Sequence, residues 1–276
     1  MNPLKITSVW LLVILTLQAI PQEPQQKKPS LKILGMGIGF QQRLLLDEQK
    51  SALVYSSAEY QGRMFYQSRR ERSIFSVDLM LATGEYASRY LGNRWLYYHT
   101  YNIDGSVATD SSFIASRILT GLLEISYLKK AGKGTNFRWF IGPALKDLMV
   151  FPENNIGLLN SLGLYVSVSA EKNLGERFCL GTGLSLPLLS LNSRLPWHNT
   201  ATDPIKSEIT TFFKKGTRLV SLNQFQLVQF TLDGFYKVAP RWTIGAEYSF
   251  LWLRVPYYQP MKSAVNSVLF KTTYTF

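Results

Sequence analysis

The sequence predicts an all-β fold: an antiparallel up-and-down transmembrane β-barrel of about ten strands. Three observations carry that prediction. Apolar residues recur at every second position over much of the chain, which is the period of a strand with two unlike faces. Charged residues make up only 17% of the 276, against the roughly 25% usual in soluble domains, while aromatics reach 13%. Finally, the connections between the predicted strands alternate between short and long, as they do in membrane barrels.

The first element is not part of the barrel. Lys5 is followed by an apolar core from Val9 to Leu17 and then by small Ala19. That core is too short to span a membrane as a helix and has the layout of a secretory signal. Residues 1–20 are therefore expected to be a removed signal peptide, 21–30 a short proline-containing linker, and 31–276 the barrel. No cysteine stands near the cleavage region, so a lipoprotein anchor is excluded.

Ten strands are expected to start near residues 31, 51, 72, 111, 135, 156, 176, 217, 240 and 262. The clearest is Leu162–Ala170, where Leu162, Leu164, Val166 and Val168 alternate with Gly163, Tyr165, Ser167 and Ser169. Along 242–252, Ile244, Ala246 and Phe250 oppose Thr243, Glu247 and Ser249. In the third, Phe75, Val77, Leu79 and Leu81 oppose Ser76, Asp78, Met80 and Ala82. In a membrane barrel the apolar face meets lipid and the polar face lines the interior. The short polar connections are 67–71, 129–136, 171–176 and 237–240, and the long ones are 88–110 and 192–216. With an even strand count, that pattern puts both termini on the periplasmic side and the long loops outside.

The last strand ends Val268-Leu-Phe-Lys-Thr-Thr-Tyr-Thr-Phe276. It resembles the closing strand of bacterial outer-membrane β-barrels, which finishes on an aromatic residue with apolar residues at alternate positions before it. The aromatic-rich style looks like barrels of the Bacteroidota. The resemblance implies an outer-membrane location, contact with outer-membrane lipids, and recognition of Phe270, Tyr274 and Phe276 by the barrel-assembly machinery. It brings no catalytic motif with it.

The predicted polar face collects Glu59, Arg63, Asp78, Glu124, Arg138, Glu171, Arg177, Glu247 and Lys271. Isolated charges inside a narrow lumen are costly and paired ones are tolerated, so a charge network filling the lumen is expected. The alternative is a proton or ion path. Pairing of Glu59, Glu124 and Glu247 with Arg63, Arg138 or Lys271 is the corresponding expectation. In the outer loops, Arg94, Trp95, Tyr97, Tyr98 and Tyr101, with Trp197 and His198, are the residue types that dominate recognition surfaces.

Other chemistries lack support. The net charge of +12 comes from scattered Lys and Arg, without a nucleic-acid-binding motif. Cys179 is alone, so no disulfide forms within the chain and no cysteine-rich metal site exists. The run Gly35-Met-Gly-Ile-Gly39 repeats on one strand face with no helix after it, which argues for close wall packing and against a nucleotide cofactor. Neither His99 nor His198 has the spacing of a barrel protease or phospholipase. Three functions stay open: structural, adhesive or ligand-recognising action through the outer loops; a narrow pore or transporter for small or hydrophobic solutes; and a surface hydrolase at the barrel lip. The ligand is unknown from sequence.

Overall fold

Alternation of side-chain character along the chain becomes alternation of inside and outside in the folded wall. The computed structural model describes residues 30–49, 51–91, 95–101, 106–113, 116–132, 137–153, 157–194 and 208–276. The expected signal peptide, and the linker apart from Ser30, lie outside the described residues.

The described strands are β1 (Leu31–Asp47), β2 (Ser51–Arg70), β3 (Ser73–Ser88), β4 (Trp95–Tyr101), β5 (Val107–Phe113), β6 (Ser116–Ala131), β7 (Arg138–Pro152), β8 (Leu159–Leu174) and β9 (Phe178–Ser193). A short helix α1 (Glu208–Gly216) precedes β10 (Thr217–Ser221), β11 (Gln226–Lys237), β12 (Trp242–Val255) and β13 (Met261–Thr275). Ten antiparallel lines close in the order β1-β2-β3-β6-β7-β8-β9-β11-β12-β13, and β13 returns to β1 from Ile33↔Thr275 to Asp47↔Met261. Strand β10 faces Leu189–Ser193 of β9, while β11 faces Phe178–Ser185. The two are thus one barrel strand interrupted by the turn Leu222–Gln224. Closure leaves the ten wall strands without an edge, which is what lets strands cross a membrane.

The fold is the predicted ten-stranded up-and-down barrel, with two differences in the long connections. The fourth wall strand was expected near residue 111 and starts at Ser116. The reason is that 107–113, which spans the end of the stretch read as a loop (88–110) and the expected start of the fourth strand, pairs with β4 in a separate two-stranded hairpin. The second difference is α1, which ends the other long connection.

Leu31 and Phe276 share one end, the near end, with the turns at Glu71–Arg72 and Gly175–Arg177. The far end carries the hairpin β4–β5 and helix α1. Outward positions are apolar: Ile38 is 75% exposed and Phe270 63%, and Leu164, Val166, Ile244 and Phe250 all lie on this face. Aromatic pairs ring the near end, with Trp242 5.1 Å from Tyr274 and Phe137 6.4 Å from Trp139 between ring centroids. Phe276 N–H donates to the Lys32 carbonyl at 3.0 Å, so the last residue completes the seam.

The glycines of β1 point inward and pack closely. A Cβ at Gly35 would lie 2.2 Å from the Phe65 ring, and one at Gly37 2.9 Å from Leu269. Inward positions are not uniformly polar, however. The far half of the lumen is an apolar core that includes Leu45, Tyr86, Ile118, Leu148, Leu253 and Met261, each 0–2% exposed. The expectation of a polar interior therefore holds for the near half only. At the far end both faces of several strands are apolar, because there inward side chains pack against one another across the lumen.

Candidate functional site

The lumen is built in two storeys, and the lower one is electrostatic. Arg63 on β2 faces Asp78 on β3, donating from Nε at 2.8 Å and Nη2 at 2.6 Å, and its Nη1 reaches Glu247 on β12. Lys271 on β13 donates to Glu247 at 2.6 Å and also to Asp233 on β11. Five charges from five strands thus form one cluster, with Lys271 also 4.6 Å from the centre of the Phe235 ring. Beside it, Lys146 on β7 pairs with Glu124 on β6 at 2.8 Å and donates to Gln229 at 2.6 Å. A third group is fully buried: Glu59 accepts from Arg43 at 2.9 Å, from Ser57 at 2.5 Å and from Gln41. Arg43 also donates to Thr120 at 2.7 Å.

The pairings differ from expectation where register decides. Glu247 does take Arg63 and Lys271, but Glu59 takes Arg43 and Glu124 takes Lys146. Arg138 stands at the near rim, its side chain 43% exposed, sharing Glu171 with Arg69 at 3.2 and 2.7 Å. Arg43, Lys146 and Asp233 were missed, although a signal was present. Arg43 has the inward parity of Gly35, Gly37 and Gly39, and Lys146 that of Arg138.

Below this network a cavity of about 320 Å³ is lined by Arg63, Asp78, Glu124, Lys146, Glu171 and Lys271, among others. It lies on the near side of the apolar core.

At the far mouth another buried ion pair ties connections together. Asp47 accepts from Arg194, from the Gly157 N–H at 2.9 Å and from the Gln49 N–H at 3.2 Å. Arg194 also donates to the carbonyls of Tyr257 at 3.2 Å and Gln259 at 2.5 Å. Both partners are 2% exposed. The connections after β1, β7, β9 and β12 therefore meet at one ion pair, Asp47 with Arg194. Gly157 has φ +83°, and a Cβ there would meet Leu45 at 2.3 Å, so the N–H reaches Asp47 in a geometry that suits glycine alone. Burial pushes the Tyr257 phenol up to about 12, which keeps it a neutral hydroxyl.

Of the expected loop residues, Trp95, Tyr97, Tyr98 and Tyr101 fall on β4, whose seven residues pair with β5 from Trp95↔Phe113 to Tyr101↔Val107. Their side chains, and Arg94, Trp197 and His198 altogether, lie outside the described residues. His99 is exposed, with Nδ1 3.1 Å from Thr109 Oγ1. Among the described residues no three His, Cys, Asp or Glu side chains are grouped to hold a metal. Phe270 and Tyr274 project outward on β13 toward the near end.

No family model matches the chain, and no curated protein matches it in sequence. Several solved structures of bacterial outer-membrane barrels are similar to it. The outer membrane protease OmpT from Escherichia coli has a TM-score of 0.47 at 8% identity, covering 91% of this chain and 99% of its own. An outer membrane channel from Pseudomonas putida F1 has a TM-score of 0.42 at 7% identity, covering 93% and 100%. The translocator domain of the autotransporter NalP from Neisseria meningitidis has a TM-score of 0.40 at 10% identity, covering 99% and 98%. At these values no residue role passes from any of them to this chain.

Proposed function

We propose that the chain is an outer-membrane barrel, exported by a signal peptide at residues 1–20, that is closed to ions and acts through its far-end loops by adhesion or ligand recognition. The near end faces the periplasm and the far end the cell exterior. The observation that carries this reading is the apolar core across the far half of the lumen, with Leu45, Ile118, Leu148, Leu253 and Met261 each 0–2% exposed. An ion entering that layer loses its hydration among apolar side chains, and the charges that border the layer are already paired, Asp47 with Arg194 and Arg43 with Glu59, so the cost is several kcal/mol or more. What the barrel then offers to the exterior is its loop surface, including the aromatic-rich hairpin β4–β5. The apolar outer wall is its contact with membrane lipid, and Phe270, Tyr274 and Phe276 are its signal to the assembly machinery.

The reading is tested by single-channel recording in planar bilayers. The expected result is no ionic step from the wild-type protein. Steady ionic conductance would sink the closed-barrel reading and put the narrow-pore alternative, which the near-side cavity favours, in its place. The recognition half is tested on peptide and glycan arrays, where replacing Trp95, Tyr97 and Tyr98 with Ala should abolish whatever binding the wild type shows.

A further inference from the structure

A charge on the lipid-facing side of a membrane barrel is costly at mid-depth and tolerated at the two interfaces, so the height of an outward residue decides what it can do. Trp242 and Trp252 both point outward on β12. The ten residues from one to the other, at about 3.4 Å each and tilted by about 40°, rise about 26 Å. That matches the roughly 25 Å apolar band that separates two aromatic girdles. Trp242 stands at the near end beside Tyr274, so Trp252 marks the far girdle.

One outward step beyond Trp252 the wall carries two cations. Arg254 on β12 and Lys262 on β13 are direct cross-strand partners, both outward and both exposed. Among the described residues neither has an ion-pair partner. Glu48, in the turn after β1, is exposed and holds the Pro260 carbonyl by its N–H at 3.0 Å, and it pairs with neither cation. Like charges directly opposite on adjacent strands, with Cβ atoms about 5 Å apart, repel each other. Below them lies Ala264, flanked in register by Trp252 and Leu44, so one small side chain sits between two large apolar ones. A further step down, Gln42 and Asn266 are cross-strand partners and both are exposed. Asn266 accepts from the Tyr248 hydroxyl at 2.8 Å, while its own amide N–H groups and the whole Gln42 amide have no partner among the described residues. An amide left unpaired against hydrocarbon is unfavourable.

We propose that this strip of β1, β12 and β13 binds a phosphate-bearing lipid of the leaflet at the far end. Its phosphate sits between Arg254 and Lys262, and its ester or amide linkages run past Ala264 toward Gln42 and Asn266. The acyl chain continues over Phe40 and Val268, the next outward pair. The chemistry selects the occupant. A phosphate accepts from a guanidinium and an ammonium together, which removes their mutual repulsion. A free anion or an acidic protein would use the cations and leave the amides beneath them unpaired. A molecule that is anionic at the top, polar just below and apolar beyond that satisfies the whole strip. The site goes beyond recognition through the loops, and it does not depend on whether the lumen is closed.

Native mass spectrometry of the full chain released from detergent tests this. The probe is dioleoyl phosphatidate, with dioleoylglycerol as its uncharged counterpart and inorganic phosphate as the free anion. A surface cation adds about fivefold to the attraction for an anionic lipid, so Arg254→Gln with Lys262→Gln should weaken the tightest phosphatidate binding about thirtyfold. Arg254→Lys with Lys262→Arg should keep it. Arg70→Gln with Arg72→Gln, at the near rim, should leave it unchanged. Every variant is first shown to be folded by heat-modifiable gel migration. Dioleoylglycerol should bind wild type and variants alike, and more weakly than phosphatidate does. Undiminished phosphatidate binding in the folded Arg254→Gln, Lys262→Gln protein would overturn the site, as would an equal loss in the near-rim variant. Dioleoylglycerol binding as tightly as phosphatidate would remove the role of the cations. Displacement of phosphatidate by an equimolar amount of inorganic phosphate would show an anion site and overturn the lipid.

Discussion

Removing Arg63 is the sharpest test of the lumen network. Arg63 serves Asp78 and Glu247 together, and Lys271 serves Glu247 and Asp233. Arg63→Ala takes that cluster from two cations against three carboxylates to one against three. Asp78 then has no cation in contact, while Glu247 keeps Lys271. Breaking a buried pair by deleting one partner typically costs about 3–5 kcal/mol. Arg63 and Asp78 retain 18% and 16% side-chain exposure, so the expected loss sits at the low end, about 3 kcal/mol. Arg138→Ala is the graded control. Its side chain is 43% exposed and Glu171 retains Arg69, so the loss should be about 0–1 kcal/mol. Arg70→Ala, on an exposed position beside the turn at Glu71–Arg72, should change stability by about 0.5 kcal/mol or less. Urea unfolding in liposomes, followed by tryptophan fluorescence and gel migration, gives the three midpoints. The order Arg63→Ala least stable, Arg138→Ala intermediate and Arg70→Ala near wild type is required. Equal midpoints for Arg63→Ala and Arg70→Ala would refute the claim that the inward charges are energetically coupled.

Three further outcomes are expected. Arg194→Ala should leave Asp47 a buried charge without its cation and cost about 3–5 kcal/mol, and limited proteolysis should then cut the far-end loops faster than in wild type. Val166→Arg should destabilise by roughly 2–4 kcal/mol if the site lies near mid-bilayer, and a lipid-borne cross-linker should label Val166 and miss Ser167. Mass spectrometry of protein recovered from membranes should find the first ~20 residues missing, and an intact Met1 would count against the signal peptide.

Much of this protein was determined locally. The period of two in segments such as Leu162–Ala170 assigns each side chain to one face whatever its neighbours are, because successive residues of a strand point oppositely. For that reason the ten wall strands, their inward and outward residues and the shared end of the two termini were legible before any pairing was known. Membership of Glu59, Arg63, Asp78, Glu124, Glu247 and Lys271 in the inward set followed from the same parity. Their partners did not, because a pair across the lumen depends on the stagger between strands, which no single strand encodes. Only the closed sheet could place Arg43 against Glu59, Lys146 against Glu124 and Asp233 beside Lys271. The same holds for Asp47 and Arg194, joined from loops 147 residues apart. The apolar seal was partly written in runs such as Leu44-Leu45-Leu46 and Leu148-Met149-Val150-Phe151, where alternation fades because both faces are apolar. Strand periodicity reports how a wall is divided into two faces; what fills the space that the wall encloses is settled when ten strands fix its width and bring their inward side chains to the same height.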